Sequence, residues 1–219
     1  MNIFFTSDTH YGHSNIVKGT TRWDLNGQTR GNRSVRDFDT LEEHDQAIVD
    51  GINSFVGEND ILYHLGDWSF AGLDNIFKFR EQLKVKTIHL CFGNYDHHIR
   101  NNKVRSGTLA EIESFKKLST KELFTSTQDT INVSIKGKRF FMSHYAHRIW
   151  DKSHHGVCHL YGHSHSSLEH IEWGKSMDVG VDNAYRLFGQ YRPFSLEEVI
   201  EILDKRPILF IDHHNKNTN

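Results

Sequence analysis

Five short polar clusters could do chemistry: Ser7-Asp8-Thr9-His10, Gly66-Asp67, Gly93-Asn94-Tyr95-Asp96-His97, Ser143-His144 and Gly162-His163-Ser164-His165. Pooled, Asp8, His10, Asp67, Asn94, His144, His163 and His165 offer two carboxylates, one amide carbonyl and four imidazoles, with no thiolate. That mixture suits manganese, zinc or iron better than calcium or magnesium, which favour all-oxygen shells. Seven donors exceed what one tetrahedral ion needs, whereas two ions sharing a bridging carboxylate would use them all. The chemistry implied is hydrolysis at a two-metal site. Each cluster alone is a weak signal, because Gly-Asp and Gly-Asn are common in turns and Asp-x-His is common on surfaces. The weight lies in their ordered recurrence.

The elements that must position these clusters are short strands. Ile3 to Thr6, Ile61 to Leu65, Thr87 to Phe92, Arg139 to Met142 and Val157 to Tyr161 each run into one cluster, and Thr130 to Ile135, Met177 to Val181 and Ile208 to Ile211 are further candidates. Ligands in open α/β sheets bind beyond the carboxyl ends of strands, so polar residues delivered there from separate strands can converge. In Asp8-Thr9-His10 and His163-Ser164-His165 the paired residues are two apart, which puts both side chains on one side of extended backbone. Thr40-Leu41-Glu42-Glu43 and Ser195-Leu196-Glu197-Glu198 are capping boxes that open helices, and Gly72 to Leu83 is a third helical pattern. The segment Thr130 to Met142, broken at Lys136-Gly137-Lys138, predicts an antiparallel hairpin. An α/β fold of two mixed sheets flanked by helices is the expectation.

Composition sets the outer bounds. The 219 residues are 37% hydrophobic and 25% charged, ordinary for a globular chain. Without a repeat or a linker, residues 1–219 read as a single domain. No apolar run reaches the roughly 20 residues of a membrane helix, and the opening Met1-Asn2-Ile3-Phe4-Phe5 lacks a basic leader, so a cytoplasmic protein without membrane contact is expected. A net charge of −2 supplies no global attraction to polyanions. Cys91 and Cys158 sit in apolar segments and predict buried thiols, not a disulfide framework. The 17 histidines favour metal binding only through their spacing, and His213 and His214 belong to a polar tail.

With the motifs in order, the chain resembles the calcineurin-like metallophosphoesterase family, whose series is Asp-x-His, Gly-Asp, Gly-Asn-His-Asp/Glu, a lone His and Gly-His-x-His. The wording Asp8-Thr9-His10-Tyr11-Gly12-His13 and His159-Leu160-Tyr161-Gly162-His163 is similar to small phosphoesterases of bacteria and phages. The resemblance runs from Asp8 to His165, and Met177-Asp178-Val179-Gly180-Val181-Asp182 looks like the family's closing strand. It implies the four-layer metallophosphoesterase sandwich and two divalent metal ions (Mn, Fe or Zn). One ion would be held by Asp8, His10, Asp67 and His165, the other by Asp67, Asn94, His144 and His163, with Asp67 as the bridge. The activity implied is hydrolysis of a phosphate ester by metal-activated water. Asn94 and His13 are candidates for touching the substrate, although His13 serves equally as a support for a ligand.

Two departures from the family pattern refine the reading. Tyr95 stands where many relatives have the histidine that assists the leaving group, and a phenol is a weaker acid than an imidazolium. The expectation is therefore that His97 or His98 reaches the site with Asp96 orienting it, or else that the leaving group needs little help. After Gly66-Asp67 the chain reads Trp68-Ser69-Phe70, without the Asp-Arg-Gly ending of the family's protein phosphatases. A phosphodiester is favoured, with nucleotides or nucleic acid among the candidate substrates. A small-molecule phosphomonoesterase and a catalytically silent metal-binding scaffold of the same fold are the alternatives. Arg22, Arg30, Arg33 and Arg36, in the weakly periodic stretch from Lys18 to Asp39, are expected to help hold a polyanionic substrate.

Overall fold

A computed structural model describes residues 1–18, 36–104, 119–171 and 173–212. Arg22, Arg30, Arg33, His213 and His214 lie outside the described residues. The larger sheet contains β1 (Ile3–Thr6), β2 (Ile61–His64), β3 (Thr87–Cys91), β4 (Ser126–Gln128) and β9 (Phe194–Ser195) in the order β4-β3-β2-β1-β9. Strands β1 to β4 pair in parallel and β9 closes the edge antiparallel. The smaller sheet has the order β5-β6-β7-β8, formed by β5 (Thr130–Ile135), β6 (Lys138–Ser143), β7 (Cys158–Tyr161) and β8 (Ser176–Asp178). Its first pair is antiparallel and the rest parallel. The β5–β6 turn places Lys136 and Gly137 both at positive φ, as a two-residue hairpin loop requires.

Side-chain alternation along the strands explains the layering. Phe4, Leu62, Ile88 and Leu90 face one way, onto Ile48 and Ile52 of α1 (Leu41–Phe55) and Ile76 and Phe77 of α2 (Leu73–Gln82). Phe5, Tyr63 and Cys91 face the other way and meet Phe140, Met142, Leu160 and Met177 of the smaller sheet, which makes the core between the sheets. Full burial of one such side chain stabilises the fold by about 1.5–3 kcal/mol. A third cluster, Phe141, Trp150 and Val157 with Trp173 against it, covers the outer face of the smaller sheet with loop segments. Thr40 and Ser195 make both halves of their capping boxes, opening α1 and α5 (Leu196–Asp204).

Two strand expectations fail for local reasons. Strand β8 stops at Asp178, whose carboxylate accepts from Gly180 N (2.7 Å) and whose carbonyl accepts from Asn183 Nδ2 (2.7 Å). The chain therefore turns into α4 (Val181–Phe188) where sequence reading extended a strand to Val181. Ile208 to Ile211 joins no ladder and lies as irregular chain, with Ile208 over Gly156 and Leu209 over Gly174. Strands β4 and β9 were too short and too polar to announce themselves in the sequence.

Candidate functional site

All five polar clusters sit at the carboxyl ends of β1, β2, β3, β6 and β7, and backbone bonds tie those ends together. Gly162 N donates to His144 O (2.9 Å), Asp8 N to Gly66 O (2.9 Å) and Val181 N to Ser7 O (3.2 Å). The approach is so close that an added Cβ at Gly93 would lie 2.2 Å from Asp67 Oδ1, and one at Gly162 would lie 2.6 Å from Asp8 Oδ2. Five of the seven candidate ligands, Asp8, His10, Asp67, His163 and His165, have φ between 45° and 64°. Left-handed backbone costs a non-glycine residue on the order of 1–3 kcal/mol and persists only where surrounding contacts impose it. Such strain clusters at functional sites.

The seven side chains form two adjoining groups. In the first, Asp8, His10 and His165 converge: His10 Nε2 and His165 Nε2 lie 4.0 and 3.9 Å from Asp8 Oδ1. In the second, Asp67, His144 and His163 converge, and Asn94 Oδ1 lies 3.0 Å from His144 Nε2 and 3.1 Å from His163 Nδ1. Asp67 Oδ2 stands between the groups, 3.5 Å from His10 Nε2 and 3.5 Å from His144 Nε2. Its other oxygen accepts from Tyr95 N (3.0 Å).

These residues fit divalent ions. Two donors each about 2.1 Å from one tetrahedral ion stand roughly 3.4 Å apart, close to the separations found. His10 Nε2 is buried with no hydrogen-bond partner among the described residues, and burial holds this imidazole well below its usual pKa, so a lone pair is left for a cation. Although burial pushes Asp67 up, His144 holds it below the usual carboxylate range, whereas Asp8 and Asp178 are short of positive charge. Burial raises Asp8, and burial together with the nearby Asp8 carboxylate raises Asp178 to about 8. His144 is lifted to about 9 although burial alone would lower it, because the Asp67 and Asp8 carboxylates favour its proton. A divalent cation would answer that same imbalance.

The first group is braced by residues that sequence reading missed or assigned differently. Asp182, at the start of α4, accepts from His165 Nδ1 and orients that ring, leaving Nε2 aimed at Asp8. Arg36 is not a solvated loop residue. Its guanidinium is 1% exposed and pairs with Asp182 through Nε (2.8 Å) and Nη2 (2.9 Å), while Nη2 also donates to Asp8 O (2.5 Å). A guanidinium so enclosed cannot hold a substrate. Although burial pushes Asp182 up, Arg36 and His165 hold it below the usual carboxylate range. The sequence signal for Asp178 and Asp182 was two acids inside an otherwise apolar stretch.

The segment expected to supply an acid is arranged otherwise. Asp96 does not orient His97, since both its oxygens are taken by backbone amides: Oδ2 accepts from Asp67 N (2.9 Å) and Gly93 N (2.8 Å), and Oδ1 from Trp68 N (3.0 Å). It is a knot between two ligand loops, and burial raises it to about 6. His97 opens the short helix α3 (His97–Arg100), is exposed, and packs on His98. Tyr95 reaches the site instead, its ring 5.5 Å from His10 and 5.8 Å from His13. His13 stacks on Phe70 at 3.8 Å, and its Nδ1 lies 3.2 Å from His10 Nδ1, which places it against a candidate ligand.

Comparison with known proteins bears on the family and the fold. The model of the calcineurin-like phosphoesterase superfamily domain matches residues 1–179. An uncharacterized protein of Methanocaldococcus jannaschii is 23% identical over 212 residues, covering 94% of each chain. A protein of unknown function from Aquifex aeolicus superposes with a TM-score of 0.58 at 21% identity, over 92% of this chain and 98% of that one, a likeness of fold. An archaeal phosphodiesterase superposes over 90% of this chain and all of that one at 19% identity, but a TM-score of 0.43 is too loose to argue from. The chain belongs to the calcineurin-like phosphoesterase superfamily, whose members use divalent metals.

Proposed function

We propose that this superfamily member, acting as one domain over residues 1–219, is a two-metal phosphodiesterase. The observation that carries the reading is Asp67 Oδ2, equidistant at 3.5 Å from an imidazole of each group. Asp8, His10, Asp67 and His165 would hold one ion, and Asp67, Asn94, His144 and His163 the other. Bound there, two divalent ions supply a water of lowered pKa and positive charge for the phosphate oxygens. The chain's own contribution is positional. Asp182 and His13 fix the rings of His165 and His10, Asp96 locks the Asp67 and Asn94 loops together, and Tyr95 closes the site beside His10. We assign Tyr95, in place of His97, the contact with the leaving group, because its ring is the one that reaches the triads. A phosphodiester remains preferred over a phosphoprotein: Trp68, where the phosphatase stretch begins, is fully buried and donates to Ile76 O (3.2 Å).

The test is a manganese-supplemented screen of aryl diesters and monoesters, linear and cyclic nucleotides, and single-stranded RNA and DNA, with metal content measured on the same sample. Two ions per chain and preferential diester turnover are expected. Bound metal without turnover of any ester would instead identify a silent scaffold.

A further inference from the structure

Beside the second group of ligands the surface is unusually apolar. Tyr145 follows His144 directly, is 50% exposed, and holds its ring 4.6 Å from His163. Next to it opens a groove of about 340 Å³, walled by Ala146, His147 and Arg148 on one loop and Leu168, Ile171 and Trp173 on the other. These are the loops that leave β6 and β7 just after the ligands His144 and His165. Ile171 is 49% exposed and Leu168 36%, an arrangement that leaves apolar area open to water at the edge of a charged site. Isolated exposed apolar residues need no explanation, but a cluster lining one concavity marks a binding surface.

The character of the walls narrows the occupant. Trp173 brings an aromatic ring to the groove, Tyr145 directly precedes its first lining residue, Ala146, and the Arg148 guanidinium lies 5.8 Å from the Trp173 ring centre. The Trp173 indole is fixed by its own Nε1, which donates to Arg148 O (2.8 Å). Planar π faces beside a guanidinium stack flat heteroaromatic rings and tolerate any base. An acyl chain would gain from the aliphatic walls but would make no use of the aromatic and guanidinium faces.

We propose that this groove binds the nucleobase of the substrate, and so assigns the phosphodiester to the nucleotide or single-stranded nucleic acid class. The inference rests on the phosphodiesterase reading for the location of the phosphate, while the groove's preference can be measured without turnover. Calorimetry on manganese-loaded protein would compare an adenine nucleoside phosphonate, in which carbon replaces the ester oxygen and blocks hydrolysis, with methylphosphonate and octylphosphonate. The nucleoside phosphonate should bind about tenfold tighter than methylphosphonate, the scale of one stacked base. In a Leu168→Ser/Ile171→Ser variant, both changes being at exposed positions, that ratio should fall towards one. The inference is overturned if the nucleoside compound binds no better than methylphosphonate, if octylphosphonate matches it, or if the variant keeps the full ratio. Failure of the phosphodiesterase reading would show separately, as a manganese screen with no turnover.

Discussion

The two groups of candidate ligands use the same kinds of donor and are supported very differently. Asp8, His10 and His165 are each at most 2% exposed, and their outer atoms are held by Asp182, Arg36 and His13. In the other group His144 is buried and its Nδ1 bonds Leu65 O (2.7 Å), but His163 and Asn94 are exposed. Orienting partners raise a ligand's basicity and fix its ring, and losing one typically costs 10- to 100-fold in metal affinity. On the two-metal reading, the contrast predicts different work for the groups: the buried one would retain its ion, and the open one would exchange its ion and admit substrate.

The severest way to break that division is to remove what the groups share. Asp67→Asn is expected to lower kcat by about 10³-fold or more, since several kcal/mol of charge stabilisation depend on both ions, and to reduce the metal content of both groups. His10→Ala should do less. Retention of two ions and ordinary turnover by Asp67→Asn would dissolve the idea of a shared ligand.

Metal removal comes next. Ions present at 100 times their dissociation constant add about 2.7 kcal/mol to stability, which in a chain of this size is about 5–10 °C in Tm. Stepwise chelation should strip one ion early with little change in Tm and the second late with most of it. Loss of both ions in one step would show that the groups do not differ.

Asp182→Asn sharpens the comparison by acting on one side. It should weaken the retained ion about 10- to 100-fold and leave the early-released ion unchanged, as read by calorimetric metal titration. Asn94→Ala should give the reverse pattern.

The smallest effect belongs to a pair remote from both groups. Glu198 caps α5 and pairs with Arg192 at 2.6 and 3.0 Å. Burial pushes its carboxyl up, but the Arg192 charge and the backbone N–H of Ser195 hold it below the usual glutamate range. A depressed folded pKa contributes stability above the unfolded value, lost as pH falls through the folded pKa. Glu198→Gln should therefore lower Tm at neutral pH, converge with the parent in acid, and leave the order of metal release unchanged. A shifted release order would mean that the two groups respond to general stability instead of to their own supports.

The ligand clusters were legible because each chemical letter follows a strand whose aromatic and β-branched residues announce it. The β5–β6 hairpin and both capping boxes were legible for a similar reason, since a turn or cap has local chemistry. What sequence could not supply was contact between distant segments. Arg36 lies 146 positions from Asp182, and no local pattern tells a buried guanidinium from a solvated one. Asp96 was misread likewise, because its partners are backbone amides of another loop, invisible in residue types. The α4 start at Val181 was obscured by valines that suit a strand, until Asp178 turned the chain.

The closing bonds between the two sheets also set a schedule. Asp8 leaves the ribosome early, yet the atoms that fix it include His163 N (3.0 Å) and, through Arg36, Asp182. At synthesis rates of roughly 5–20 residues per second, a growing chain carries half of the donors for many seconds with no place to assemble them. The second group waits for His163, and the first for His165 and Asp182, before the docked sheets can assemble either. On the two-metal reading, metal capture would thus be a late event in the biogenesis of this protein.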